Sequence, residues 1–281
     1  MHIGSAGPNF QEWKNITKFS TIISIDGADD NKGQSKDYKR NIKINNVISN
    51  KKHKINFYIT NDSHCSSLLK PDSKELKKWY FEHRFKVAKV VKVKTITINQ
   101  LLKDLKINYI DWLVLDIQGM DLKVLKSLSP KLRKKIIFID VEPGLSNFYK
   151  NEPRLHEILR FMHKEYEIED VTFGHNYKIS NQKLNKFDKK ILFFTEKKRK
   201  IYANISFLKK IINSSLREQL LYITFLLIKK RFFEVSQLKS LNRSNEDIYF
   251  EIKKFLKLKL FIFKLKYILC LPYIFLIKII K

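Results

Sequence analysis

Three carboxylates in this chain stand where a short apolar run ends. Asp26 closes Thr21-Ile22-Ile23-Ser24-Ile25-Asp26. Asp116 closes Trp112-Leu113-Val114-Leu115-Asp116. Glu142 follows Ile136-Ile137-Phe138-Ile139-Asp140-Val141. Runs this short, rich in branched apolar side chains, are what a strand buried on both faces requires. In open α/β sheets the ligand crevice lies outside the carboxyl ends of the strands, so an acid there is a site residue by position. The alternative for Asp116 is a cap on the helix that follows, and the sequence leaves both open. Near the start, Gly4-Ser5-Ala6-Gly7 reads as a glycine turn, with Pro8 suited to the first turn of a helix. Asp26 comes 22 residues after Gly4. In nucleotide-binding βαβ units an acid about 20 residues past the glycine turn bonds the ribose hydroxyls. The two oxygens of a carboxylate match a vicinal diol. An ordinary turn with a solvated Asp26 is the plainer account.

These groups need strands and helices to hold them. Only Met1, His2 and Ile3 precede Gly4, so the first strand is expected to be nearly missing, through truncation or a start that lies upstream. Residues 21–26, 42–48 and 55–60 are strand-like. Beyond the last of these, Asn61, Asp62, Ser66 and Ser67 either face a ligand or form a turn and a cap. Residues 87–98 alternate apolar with Lys or Thr as a half-buried strand does. A helix starts at Asn99, and a second starts at Asp121 after the turn at Gly119. The run 136–142 is a buried strand broken by Pro143-Gly144, and Pro153–Lys164 is an amphipathic helix. Tyr166–Val171 and Ile191–Phe194 are the remaining strands expected. Strands and helices alternate over residues 1–198, which predicts a doubly wound, mostly parallel α/β sheet with one ligand crevice.

Composition bounds the rest. The chain has 281 residues, 44% of them hydrophobic, enough for one large α/β domain and an extension. Cys65 and Cys270 are too few and too far apart for a disulfide framework or a metal cluster, and His64 and His83 are lone histidines; no metal ligands are expected. No secretion signal is read at the start, and a reducing cytoplasm fits. The net charge is +28, which raises nucleic acid or anionic membrane as partners. It is spread, however: residues 201–281 hold 16 Lys/Arg against 5 Asp/Glu, or +11, and the other +17 lies before them. The Lys, Ile and Asn content also matches the codon bias of an AT-rich genome. A nucleic-acid-binding protein or RNA methyltransferase stays open as an alternative, without the Asn-Pro-Pro-Tyr or paired-cysteine motifs of base methyltransferases. A nicotinamide dehydrogenase lacks its three-glycine fingerprint.

Residues 199–281 read as a basic, apolar helical extension. Lys264, Lys266 and Pro272 interrupt its last segment, so a spanning helix of about 20 apolar residues is not available. Residues 255–281 could instead lie in a membrane interface, or dock on protein. A non-catalytic, membrane-associated module is therefore a third alternative.

Several segments, in order, resemble the FkbM-type S-adenosylmethionine-dependent methyltransferases. Asp116-Ile117-Gln118-Gly119-Met120-Asp121-Leu122-Lys123-Val124-Leu125 is similar to the family's D-x-[EQ]-G-A-E-L-x-[VI]-L signature. Thr95–Leu102 resembles its T-L-D-x-L lead-in, and His2–Gly7 its D-I-G-[SA] turn. Ile23–Asp26 stands at its G-F-[ED] element, and Asn61–Leu68 at a turn ending C-S-S-L. Val141-Glu142 and Tyr149-Lys150 with Pro153 resemble V-E-V-x-F and Y-K-x-x-P. His2 replaces an acid of the pattern, and Met120 and Asp121 replace Ala and Glu. The resemblance implies a Rossmann-like class I methyltransferase fold over residues 1–198, a seven-stranded sheet whose last hairpin is antiparallel, and methyl transfer to a hydroxyl, often of a sugar or glycan precursor in polysaccharide biosynthesis. It implies S-adenosylmethionine as cofactor, with Gly4, Ser5 and Gly7 at its amino-acid end, Asp26 at its ribose, Asn61 and Asp62 near its adenine, and Asp116 beside it. A sugar hydroxyl is a poor nucleophile, so a general base is expected, Asp116 first and Glu142 second. Whether a divalent metal joins them is left open.

Overall fold

A computed structural model of the chain describes residues 1–4, 14, 16–27, 38–179, 185, 191, 197–210, 215–237, 254 and 257. Seven strands form the main sheet: β1 (His2–Ile3), β2 (Thr21–Asp26), β3 (Arg40–Asn45), and, after an insertion, β7 (Trp112–Leu115), β8 (Phe138–Val141), β9 (Tyr166–Asn176) and β10 (Arg199–Lys209). Their spatial order is β3-β2-β1-β7-β8-β10-β9. All neighbours are parallel except β10, which runs antiparallel to both β8 and β9. The insertion carries β4 (Val47–Ile48), β5 (Lys54–Thr60) and β6 (Val87–Ile96), which make a separate three-stranded sheet in the order β4-β6-β5.

The chain adds strands on one side of β1, then crosses back and continues on the other side with β7. The β1/β7 boundary is thus the point where the winding reverses, the place where ligands bind in such sheets. β7 sits there because all four of its residues are buried, as a strand covered on both faces demands. Helices flank it in sequence. α2 (Ile98–Asp104) starts where the Thr97 hydroxyl accepts from the Gln100 amide at 3.2 Å, and buries Ile98, Leu101 and Leu102. α3 (Asp121–Ser127) buries Leu122, Val124 and Leu125, and α5 (Leu155–Met162) buries Ile158 and Met162. These side chains join Ile25, Leu113, Leu115, Ile139 and Phe207 in one core. Two short helices, α1 (Ser73–Leu76) and α4 (Pro130–Arg133), complete the layer connections.

One compact unit spans Met1–Lys210. The boundary expected at residue 198 thus lies twelve residues short of it, because Arg199–Lys209 is a sheet strand rather than the start of the helical extension. Inward-facing Ala203, Ile205 and Phe207 are all buried. Most of the strand expected at Ile191–Phe194 lies outside the described residues. The second unit, Ile211–Lys281, contains α6 (Leu216–Ile228), started by a capping box between Ser215 and Glu218, and α7 (Phe232–Gln237). Among the described residues no helix is long and apolar enough to cross a membrane. The interfacial segment expected at 255–281 lies, apart from Lys257, outside the described residues.

Candidate active site

Register brings the strand-end residues level. Ile3 pairs with Ile25 on one side and with Leu115 on the other, and Leu115 pairs with Val141. The next residue on each strand is Asp26, Gly4, Asp116 and Glu142, so the three acids and the glycine line one edge in strand order. Gly4 donates its amide to the Ile25 carbonyl at 2.9 Å, and Asp116 donates its amide to the Ile3 carbonyl at 3.0 Å. Gly4 has φ +79°, and a Cβ there would overlap the Asp116 carbonyl oxygen. Only glycine lets the chain turn this close to β7. Ser5 and Gly7 lie outside the described residues.

Burial and mutual repulsion set the charge states at this edge. Asp116 is pushed up to about 6, chiefly by burial, while a hydrogen bond from Gln118 opposes the rise. Glu142 is pushed up to about 8 by burial and by repulsion from Asp116 and Asp121. Near neutral pH Asp116 is therefore the ionised partner and Glu142 keeps its proton. Burial and mutual repulsion thus hold the two carboxyls in different charge states. Asp121, at the start of α3, is 1% exposed, its Oδ1 lacks a hydrogen-bond partner, and burial raises it well above the usual range. Glu152 is pushed up to about 7 by burial. It fits between two glycines, since a Cβ on Gly119 would lie 3.1 Å from its Cγ and one on Gly144 would overlap its Oε1. Its Oε2 accepts from the Tyr149 amide at 3.1 Å.

The turn after β5 overhangs this edge, close enough for His64 to stabilise the Asp116 anion. Asn61 is exposed and donates from Nδ2 to the His83 carbonyl at 3.2 Å. Asp62 caps the 3-10 turn Ser63–Cys65, accepting from the His64 amide at 3.1 Å, and pairs with Arg84 at 2.6 Å. Burial pushes Asp62 up, but the Arg84 and His64 bonds outweigh it and hold the carboxyl below its ordinary value. The segment therefore reaches the crevice, with Asp62 already engaged in shaping it. An aromatic cluster of Trp79, Phe81, Phe85, Phe148 and Tyr149 pins this turn to the loop after β8; the Phe81 and Phe148 rings meet edge-on at 5.3 Å. Asp140, also an acid of the β8 run, is structural: it accepts from Trp112 Nε1 and Ser206 Oγ, both at 2.5 Å, tying β7 and β10 to β8. A cleft of about 520 Å³ opens two residues past Glu142, with Gly144, Ser146, Asn147, Arg154, His156 and Leu159 among its walls. Among the described residues no group of three or more His, Cys, Asp or Glu could hold a metal ion.

The strand order, the glycine turn and the acids at the reversal point describe a nucleotide-type crevice. The model of the Methyltransferase FkbM domain matches residues 22–172, more than half of the chain. The chain belongs to the FkbM methyltransferase family. No curated protein and no solved structure matches it. The FkbM match runs from β2 through most of β9 and includes Asp26, Asp116 and Glu142. Methyltransferases of this family use S-adenosylmethionine, and the edge carries groups of a chemistry that fits it: a bend without a Cβ, a carboxylate at Asp26 and two buried acids. Motif reading singled out Asp26, Asp116 and Glu142. It missed what Gln118, Tyr149 and Glu152 do, although Gln118 stands in the D-I-Q-G turn and Tyr149 in the Y-K-x-x-P segment.

Proposed function

We propose that this protein is an S-adenosylmethionine-dependent O-methyltransferase whose acceptor is a sugar hydroxyl of a glycan or glycan precursor. The observation that supports it most is the register that sets Gly4, Asp26, Asp116 and Glu142 along one edge at the winding reversal. When bound, S-adenosylmethionine supplies an electrophilic methyl group on a sulfonium. The Gly4 turn and Asp26 orient it, and most of the rate comes from that alignment. Asp116, ionised at neutral pH, would take the proton of the acceptor hydroxyl, so that its oxygen could accept the methyl group as the sulfonium sulfur keeps the electron pair of the broken bond. Glu142, which keeps its proton near neutral pH before the cation binds, is the second hydrogen-bonding group for the acceptor. The cleft past Glu142 offers Ser146, Asn147, Arg154 and His156 as hydrogen-bonding groups beside apolar Leu145 and Leu159, a lining suited to the polar rim and C–H faces of a saccharide. The enzyme works in the reducing cytoplasm, with residues 255–281 as a peripheral membrane contact.

Calorimetry with S-adenosylmethionine, followed by transfer of labelled methyl to nucleotide sugars and cell-envelope glycans, tests this. Micromolar binding and label in glycan, with the label lost in Asp116→Asn, is the expected result. Label in RNA instead, with binding that falls steeply with salt, would overturn the saccharide assignment.

A further inference from the structure

The proton of Asp116 has a hydrogen-bonded chain behind it that the mechanism above does not use. Gln118 has φ +49°, the left-handed region that a non-glycine residue holds only when its surroundings fix it. That backbone turns the side chain back toward the strand end. Nε2 donates to Asp116 Oδ1 at 2.8 Å. The Gln118 carbonyl accepts from Ser67 Oγ at 2.8 Å, which ties the turn to the segment after β5. The far end of the amide, Oε1, is 3.1 Å from the Tyr149 hydroxyl, and the same hydroxyl is 2.8 Å from the Cys65 carbonyl. Tyr149 is 3% exposed and its ring meets Phe85 at 5.6 Å, so the hydroxyl is held in place.

A phenol has one proton, and two acceptors compete for it here. With the O–H toward Gln118 Oε1, the amide presents N–H to Asp116 and favours the carboxylate. With the O–H turned to the Cys65 carbonyl, the hydroxyl oxygen offers a lone pair to the amide. Gln118 can then turn its N–H to Tyr149 and its carbonyl to Asp116, where it accepts from the protonated acid. One amide flip and one hydroxyl rotation connect the two arrangements; the first leaves the Cys65 carbonyl without the hydroxyl proton, and the second gives it back. A general base passes through both charge states in each turnover.

We propose that Gln118 and Tyr149 form a two-state amide switch that positions Asp116 and follows its protonation; this rests on Asp116 being the base. Both are positioning residues. Asp116 gains one proton from the acceptor hydroxyl and later loses one to solvent, while Gln118 and Tyr149 exchange hydrogen-bond roles without net gain or loss. Other titratable groups also face Asp116: Asp26 of β2, His64 and Cys65 of the overhanging turn, Asp121 of α3, Glu142 after β8 and Tyr202 of β10. Among the described residues, Gln118 is the one side chain that hydrogen-bonds to the Asp116 carboxyl.

The test is a pH titration of Asp116 in the full-length protein, read from the carboxyl carbon by NMR with labelled aspartate and assigned by its absence in Asp116→Asn. Wild type should titrate near 6. Gln118→Met should raise the midpoint by about one pH unit, because the anion loses its donor. Tyr149→Phe keeps the ring in the cluster and should raise it by a smaller amount. Gln118→Glu should raise it furthest, since two adjoining carboxyls then share a proton. Midpoints equal to wild type in Tyr149→Phe and Gln118→Glu, with native near-ultraviolet circular dichroism, overturn the switch even if Gln118→Met does not fold. Methyl transfer by Asp116→Asn separates the two failures. Activity lost there with unmoved midpoints overturns the switch alone, and activity kept overturns the base assignment and the positioning role with it.

Discussion

Glu142→Gln is expected to make the protein more stable at pH 8 and to leave its stability nearly unchanged at pH 4. Glu142 is raised from 4.5 to about 8, first by burial and then by Asp116 and Asp121. The native state therefore keeps a proton that the unfolded chain has released. Between 4.5 and about 8 the folded form binds more protons, so stability falls as pH rises through that window, and the loss is complete above it. At 1.36 kcal/mol per pH unit the rise corresponds to a ceiling of roughly 5 kcal/mol. Glu142 is only partly enclosed, and solvent and neighbouring dipoles reorganise around its charge, so an effective dielectric near 20 leaves about 2–3 kcal/mol. Glutamine has the same shape and no charge to bury. Urea unfolding of the variant and wild type at pH 4 and pH 8 reads the difference. The variant should gain about 2–3 kcal/mol at pH 8 with an unchanged m-value. A variant no more stable than wild type at pH 8 would refute the claim that Glu142 is held against its preference.

Gly4→Ala should cost about 3–5 kcal/mol in urea unfolding, because the new Cβ overlaps the Asp116 carbonyl at φ +79° and must part β1 from β7; a loss under about 1 kcal/mol would contradict the close approach. Asp140→Ala should cost about 3 kcal/mol by stranding Trp112 Nε1 and Ser206 Oγ, without altering cofactor affinity; calorimetry showing lost binding would make Asp140 a site residue instead. Against anionic liposomes, the full chain should pellet and a chain ending at residue 254 should not; equal pelleting removes the interfacial role of 255–281.

How far the fold could be read in advance depended on which signal each element carries. Trp112–Leu115 was legible because a strand buried on both faces needs no alternation, only a short apolar run. The acids were legible because each closes such a run, and parallel pairing without slips then brings them level. β10 was not. Its inward residues Ala203, Ile205 and Phe207 keep a period of two, but Ser206 and Leu208 between and after them are buried too, an extra residue between Lys200 and Tyr202 shifts the register at its start, and Lys-rich flanks imitate a basic helix. The partners of Asp116 were also out of reach. Gln118 and Tyr149 are 31 residues apart, and their contact depends on a left-handed turn and an aromatic cluster that no local spacing encodes. Glu152 is a similar case, since the space it fills is made by Gly119 and Gly144, two glycines from different loops.

A chain with net charge +28 has gathered its buried acids at one sheet edge. That contrast has a consequence for binding. S-adenosylmethionine carries a sulfonium cation and S-adenosylhomocysteine does not. If the sulfonium lies beside Asp116 and Glu142, its charge favours their ionised forms, so binding of the cation releases protons and strengthens as pH rises through the range in which they titrate. The neutral product lacks this linkage. The affinity ratio of S-adenosylmethionine to S-adenosylhomocysteine should therefore climb between about pH 5.5 and pH 8.5, by up to tenfold for each acid lowered by one pH unit on binding. Calorimetry in buffers of different ionisation enthalpy should detect the released protons with S-adenosylmethionine alone. A ratio that stays flat over this range would place the methyl group away from the acid edge, and the general-base role of Asp116 would fall with it.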